Sequence, residues 1–219
     1  MIKNKNKIIT LCNDFLSQNH SRWNFGNNIL YDMCEKNPRH NNADVIIGKI
    51  WLIGRSYAAA IERRRNVTSS NDDFYYDVVA PQMIKIGILL DKRIQKLTSA
   101  KTNYVNELLA THKYLTDVFS NITGLEKRSL ASKYLHFHVP SKVFIYDERA
   151  KRAVQKIVHR PNKSILKEMP SAEYDAEYGD FICRIFELKE FLDSSLGICL
   201  TPREIDSFLL SNTLRKSIL

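Results

Sequence analysis

Glycine and proline are scarce in this chain, with 7 and 6 among 219 residues. That leaves little of the turn chemistry that a fold of many short strands requires. Strict alternation of apolar and polar residues is also missing, except over the short stretch Val143 to Tyr146. The four cysteines, Cys12, Cys34, Cys183 and Cys199, form no C-x-x-C pair. This excludes the clustered spacing of a zinc or iron–sulfur site and fits reduced, partly buried thiols. No apolar run approaches membrane-spanning length. The opening stretch MIKNKNKIITLCNDFL has neither a long apolar core nor a small-residue cleavage site. Repeats and low-complexity tails are absent. The expectation is a soluble cytoplasmic protein with no membrane partner, no metal and no cofactor.

What is present is positive charge and helical spacing. The chain has 33 Lys and Arg against 24 Asp and Glu, a formal charge of +9 that favours an anionic partner, nucleic acid being the commonest. With 44% hydrophobic and 26% charged residues its composition is globular, and the length allows a substantial core. Apolar residues recurring at a period near 3.6 predict helices over 5–18, 22–36, 42–66, 73–98, 102–120, 127–138, 147–159, 172–196 and 202–215. The breaks fall at punctuation: Asn37-Pro38, Ser69 to Asp72, Thr123-Gly124, Val139-Pro140, Arg160-Pro161, Met169-Pro170 and Thr201-Pro202. Thr201, with Pro202 and Glu204 after it, reads as a capping box. The fold class is all-α, taken as one domain over 1–219, with a candidate connection between two lobes in 160–171 (RPNKSILKEMPS).

The helix over 42–66 carries WLIGRSYAAAIERRR. Its small residues Gly54, Ala58, Ala59 and Ala60 suit close helix–helix approach. Arg63, Arg64 and Arg65 would end it, where cations interact favourably with the helix dipole. The same arginines would alternatively contact phosphates.

Chemistry is densest in SLASKYLHFHVPSKVFIYDERAKRAV, Ser129 to Val154. At about 100° per residue, Leu130, Ala131, Tyr134 and Leu135 share one side of a helix and should face the core. Ser129, Ser132, Lys133 and His136 share the other side, which reads as a solvated face or as a reactive one. After Pro140 an apolar strip ends at Asp147, which reads as the N-cap of the next helix, its carboxylate accepting first-turn amide hydrogens. His136 and His138 flank Phe137 and point apart on a helix, so they do not read as a metal pair.

The pattern SKYLHFH, Pro140 and F-I-Y-D before a helix resembles the helix-hairpin-helix DNA glycosylase superfamily, and the 8-oxoguanine DNA glycosylases within it. More narrowly, it is similar to small divergent bacterial glycosylase-like proteins that carry a WLIGRSYAAAIERR-like helix and often accompany antiphage defence genes. The resemblance covers residues 124–154 and, more loosely, 50–65. It implies a glycosylase-like helical bundle with a cleft between two lobes, Asp147 as the catalytic carboxylate, and a reactive lysine. The family's lysine position falls on Ser129 here. Lys133, one turn later, is the first choice for the amine, and Lys127 is the choice if the register slips. Ser129, His136, Phe144 and Tyr146 become supporting or substrate-binding residues. The family's glycine-rich hairpin is reduced to Gly124, so Lys127 and Arg128, with Arg63 and Arg64, are the residues left to hold a DNA backbone.

The residue types suit the reaction. Cleaving an N-glycosidic bond builds positive charge on the sugar, a fixed carboxylate stabilises it, and a deprotonated lysine can form an imine at the anomeric carbon. The function implied is therefore a DNA N-glycosylase-like enzyme, with abasic-site lyase activity, acting on a modified purine or related nucleoside. Two other readings stand beside it. One is a non-catalytic module that binds nucleic acid or a partner on the same fold. The other is an all-α ribonuclease using Arg152 and His159, a match that a chain with 33 basic residues and six histidines meets by chance.

Overall fold

The computed structural model describes residues 2–18, 24–63, 73–101, 104–211, 214 and 216. It is helical throughout, with no strand among the described residues. The helices are α1 Lys5–Leu16, α2 Asn24–Lys36, α3 Ala43–Ser56, α4 Ala80–Ser99, α5 Val105–Thr123, α6 Arg128–His138, α7 Glu148–Ile157, the short α8 Ser164–Lys167, α9 Ala176–Leu196 and α10 Pro202–Leu210. A π-helical turn, Phe74–Val79, leads into α4, and a 3-10 turn, Ser171–Glu173, precedes α9. No helix among the described residues is long and apolar enough to cross a membrane.

The chain divides into two compact units. One comprises residues 24–143, with α2 to α6; the other comprises 1–23 and 144–219, with α1 and α7 to α10. The chain thus changes unit beside Trp23 and again between Val143 and Phe144, whereas the 160–171 stretch lies inside the second of these units.

In the 24–143 unit, α6 packs against α2, α3 and α5. Enclosed on three sides, it is buried from Leu130 through Phe137. Ile46, Ile50 and Ile53 of α3, Met83 and Leu90 of α4, and Leu108, Leu115 and Phe119 of α5 complete this core, each with none of its surface exposed. Burying one such side chain contributes about 1.5–3 kcal/mol. In the other unit α7 packs against α9 and α10, through Ala150, Val154 and Ile157, and Phe15 of α1 meets Phe208 of α10 edge-on at 5.7 Å.

The ends of the helices follow their caps. The Asn42 side chain accepts from Val45 N, Asp175 from Tyr178 N and Thr201 from Glu204 N, the last in a full capping box. Gly124 and Gly197 close α5 and α9 at φ 71° and 67°, a left-handed conformation that a side chain disfavours.

Three boundaries depart from the periodicity. Helix α3 stops at Ser56, well short of residue 66, because Ala58 turns into the left-handed region at φ 52°. The chain then folds back on its own helix: Ala59 N donates to Gly54 O at 2.7 Å, and a Cβ at Gly54 would stand 3.1 Å from Ala60 Cα. The small residues therefore serve a tight return of the chain rather than the approach of another helix. Arg63 consequently lies in an exposed turn and not at a helix end, and Arg64 and Arg65 lie outside the described residues. The stretch Val143 to Tyr146 lies outside any helix and forms no strand; the one isolated bridge among the described residues joins Ile2 and Val158. Finally, α7 ends at Ile157, so His159 does not share a helix with Arg152.

Candidate functional site

Lys133 sits mid-way along α6 and is only 3% exposed. Its Nζ donates to Ser129 Oγ at 2.8 Å, one turn earlier on the same helix, and to the carbonyl oxygen of Tyr57 at 3.1 Å. The Tyr57 ring centroid is 5.9 Å from the same nitrogen. Tyr57 is the C-cap of α3, so the amino group stands at the end of that helix where carbonyls leave a partial negative charge.

The polar side of α6 is thus not a wet face. Ser132, Lys133 and His136 are buried, and Ser129 is only partly exposed. The physical reason is that each polar head has an internal partner. Ser132 Oγ donates to Ser129 O at 3.1 Å. His136 Nδ1 lies 2.7 Å from Val143 O; a carbonyl only accepts, so Nδ1 carries the hydrogen, and Nε2 takes the Tyr31 hydroxyl hydrogen at 2.8 Å. Tyr31 packs against Phe137 at 4.8 Å and Tyr57 meets the same ring at 5.4 Å. Tyr57 and Ser129, which hold the buried amine, are both partly exposed. The Tyr57 hydroxyl donates to Asn27 Oδ1.

Lys127 and Arg63 are brought together: Lys127 Nζ donates to Arg63 O at 2.5 Å. Arg128 forms an ion pair with Glu126.

Asp147 belongs to the other unit, and there it is the N-cap of α7, its Oδ1 accepting from Ala150 N at 2.8 Å. The residues before it are anchored from α9. Tyr178 Oη donates to Phe144 O at 3.0 Å. The Tyr146 hydroxyl donates to Glu177, which also receives Lys151 Nζ at 2.5 Å; this hydrogen bond, with the Glu148 one, holds Lys151 above the usual lysine range. Phe144 is buried with its ring edge-on to Phe186 at 5.5 Å, and Tyr146 packs on Phe181 at 5.3 Å. The carboxylate is therefore presented on a segment fixed on both sides.

A second group of titratable side chains lies in the 24–143 unit, and of its members only Tyr134 and His138 belong to the SKYLHFH stretch. His40 Nδ1 donates to Asp91 Oδ1 at 2.5 Å, and its Nε2 lies 2.7 Å from the Tyr134 hydroxyl. Burial lowers the His40 pKa despite Asp91. Burial also carries the Tyr134 phenol well above its usual range, so the phenol keeps its hydrogen and donates it to Nε2. His138, its ring tilted against Tyr134 at 5.0 Å, is held well below the usual imidazole range by burial and by Lys49 and His40. Lys49 is fully buried; its Nζ donates to Asn37 O and lies 3.5 Å from His138 Nε2. Burial lowers its pKa too, with Cys34 and Asp91 opposing. The signal for Lys49 was present in the chain, since Ile46, Lys49, Ile50 and Ile53 share one helical stripe. No group of three or more His, Cys, Asp or Glu side chains among the described residues is placed to hold a metal ion.

The chain matches no protein-family model, no curated protein and no solved structure.

Proposed function

We propose that this protein is a base-excising enzyme of the DNA N-glycosylase type, acting on a modified purine or related nucleoside, with abasic-site lyase activity. The observation that carries the reading is the condition of Lys133. Lysine is almost never fully buried unless paired, yet this amino group is withdrawn from solvent and held by two oxygen acceptors. A partly exposed tyrosine, Tyr57, stands beside it, the kind of side chain on which a base stacks.

In this reading Asp147 is the fixed carboxylate that stabilises the cationic sugar as the N-glycosidic bond breaks. Its anchoring through Tyr146, Tyr178 and the Ala150 amide supports that role. Lys133, once deprotonated and released from Ser129, attacks the anomeric carbon and forms an imine with the opened sugar. The imine acidifies the adjacent C–H, and elimination expels the 3′-phosphate. The departing base takes up the proton that the lysine nitrogen loses as the bond from C1′ to the base gives way to the bond from C1′ to Lys133; breaking C1′–O4′ then gives the imine, and no cofactor enters. Lys127, Arg128 and Arg63 supply cations for the phosphate backbone, in keeping with the net charge of +9.

The test is base release from a duplex oligonucleotide carrying one 8-oxoguanine, read by chromatography. The wild-type protein is expected to release the base and Asp147→Asn to release none. Tight binding by the wild type with no base released from this or any other modified purine offered would instead assign the chain to a non-catalytic nucleic-acid-binding module.

A further inference from the structure

The sequence carries two distinctive stretches, SKYLHFH and WLIGRSYAA, and the proposed chemistry uses only the first. The structure joins them at one atom, the Nζ of Lys133. We infer that the turn from Gly54 to Ala60 is a positioning device for the Lys133 amino group, with Tyr57 as its positioning residue. This rests on the reading of Lys133 as the reactive amine.

The turn is an unusual piece of backbone. An α-helix ending in an ordinary Schellman turn would place glycine in the left-handed conformation, whereas here Ala58 takes it at φ 52°. A non-glycine residue there costs free energy and persists only where its surroundings impose it. They do so on three sides. Ala59 N closes onto Gly54 O at 2.7 Å. Ala60 Cα lies where only a residue without Cβ at position 54 admits it comfortably. The Tyr57 hydroxyl is tied to Asn27 of α2. Beyond the turn, Glu62 accepts from Tyr75 Oη at 2.6 Å and pairs with Arg55, which fixes the returning chain.

The result is that one residue, Tyr57, offers Lys133 both a carbonyl oxygen at 3.1 Å and the face region of an aromatic ring at 5.9 Å. Ser129 Oγ adds a contact from α6 itself. A lysine side chain has four rotatable bonds and loses much entropy when ordered. Contacts from two helices hold its tip at one point before any substrate arrives, which is what a nucleophile needs.

The prediction is read on the amine itself, without reference to catalysis. Reductive methylation with formaldehyde and cyanoborohydride, followed by peptide mass spectrometry, gives the labelling rate of Lys133 against Lys127 and Lys142 in the same molecule. Gly54→Ala displaces the turn and should raise the relative rate about fivefold, the equivalent of one hydrogen bond's net strength. Tyr57→Leu keeps the carbonyl but removes the ring, and should raise it about threefold, as expected for a lost cation–π contact. Tyr57→Phe keeps both ring and carbonyl and should stay within about twofold of wild type. If Gly54→Ala fails to give a melting transition, Tyr57→Leu carries the test alone. A Lys133 rate that does not respond to either change, relative to the two control lysines, overturns the inference. Borohydride trapping on an abasic-site oligonucleotide, run with the same proteins, separates the two claims. Trapping absent from the wild type sinks the imine chemistry assigned to Lys133, while a Lys133 labelling rate that still follows Tyr57 and Gly54 upholds the positioning role.

Discussion

A Cβ added at Gly87 of α4 would collide with the backbone carbonyl oxygen of His40. Asp91, one turn along the same helix, holds the His40 ring. The glycine lets the chain come close, and the aspartate grips what arrives. Gly87→Ala should therefore push the His40 segment off α4 and cost about 1–3 kcal/mol, as overpacking of a tight contact does. Urea denaturation at neutral pH would show it as a lower midpoint; an unchanged midpoint would mean that the segment yields freely. Asp147 behaves differently. Asparagine caps helices about as well as aspartate, so Asp147→Asn should leave the melting temperature close to wild type while removing base release, whereas Asp147→Ala should also cost about 0.5–2 kcal/mol of stability. A large loss of stability in Asp147→Asn would show that the carboxylate is structural.

At the scale of elements, most of the helices were legible in the chain and their surroundings were not. The 3.6-residue spacing finds α7, α9 and α10, and the caps at Asp147 and Thr201 place the starts of α7 and α10. Helix α3 ran too long on paper because nothing in RSYAAAIE marks a stop: an alanine, not a glycine, takes the left-handed turn. Whether the polar residues of α6 faced solvent or a site stayed open in the chain because periodicity cannot report a tertiary partner. Tyr31 and Tyr57, distant in sequence, and Val143, beyond the end of the helix, decide the matter. The same holds for Lys142, whose Nζ donates to Leu97 O at 2.8 Å, Thr98 O at 2.6 Å and Ala100 O at 2.5 Å, closing the C-terminal end of α4. Lys142→Met leaves those carbonyls to water and should lower stability by about 1–2 kcal/mol. Calorimetry would detect a loss of that size, and a variant as stable as wild type would show that solvent satisfies the helix end equally well.

For the whole molecule, the buried groups set a pH window. His40 and His138 have folded pKa values below the ordinary imidazole value. Below about pH 6.5 the unfolded chain therefore takes up protons that the folded chain refuses, and stability falls as pH drops. The carboxylates held low, Glu62 and Asp180, act only further into acid, through and below the usual carboxylate range. On the alkaline side burial pushes the Cys12, Cys34 and Cys183 thiols up to about 11. The unfolded thiols ionise from about pH 8.5, so these three remove stability as pH rises beyond that. Lys49, with its lowered pKa, works in the opposite direction there. The melting temperature should thus be highest between roughly pH 7 and 8.5 and decline by pH 5. Replacing His138 with Gln should flatten the acid slope; an acid limb that survives both His138→Gln and His40→Gln would have to come from elsewhere.

The central claim, that Lys133 is a nucleophile toward a sugar aldehyde, is tested most directly by borohydride trapping on a duplex with a single abasic site. Peptide mass spectrometry then identifies the lysine that carries the sugar. The account predicts one adduct, on Lys133, absent from Lys133→Gln. An adduct on Lys127, or none on any lysine, would contradict it.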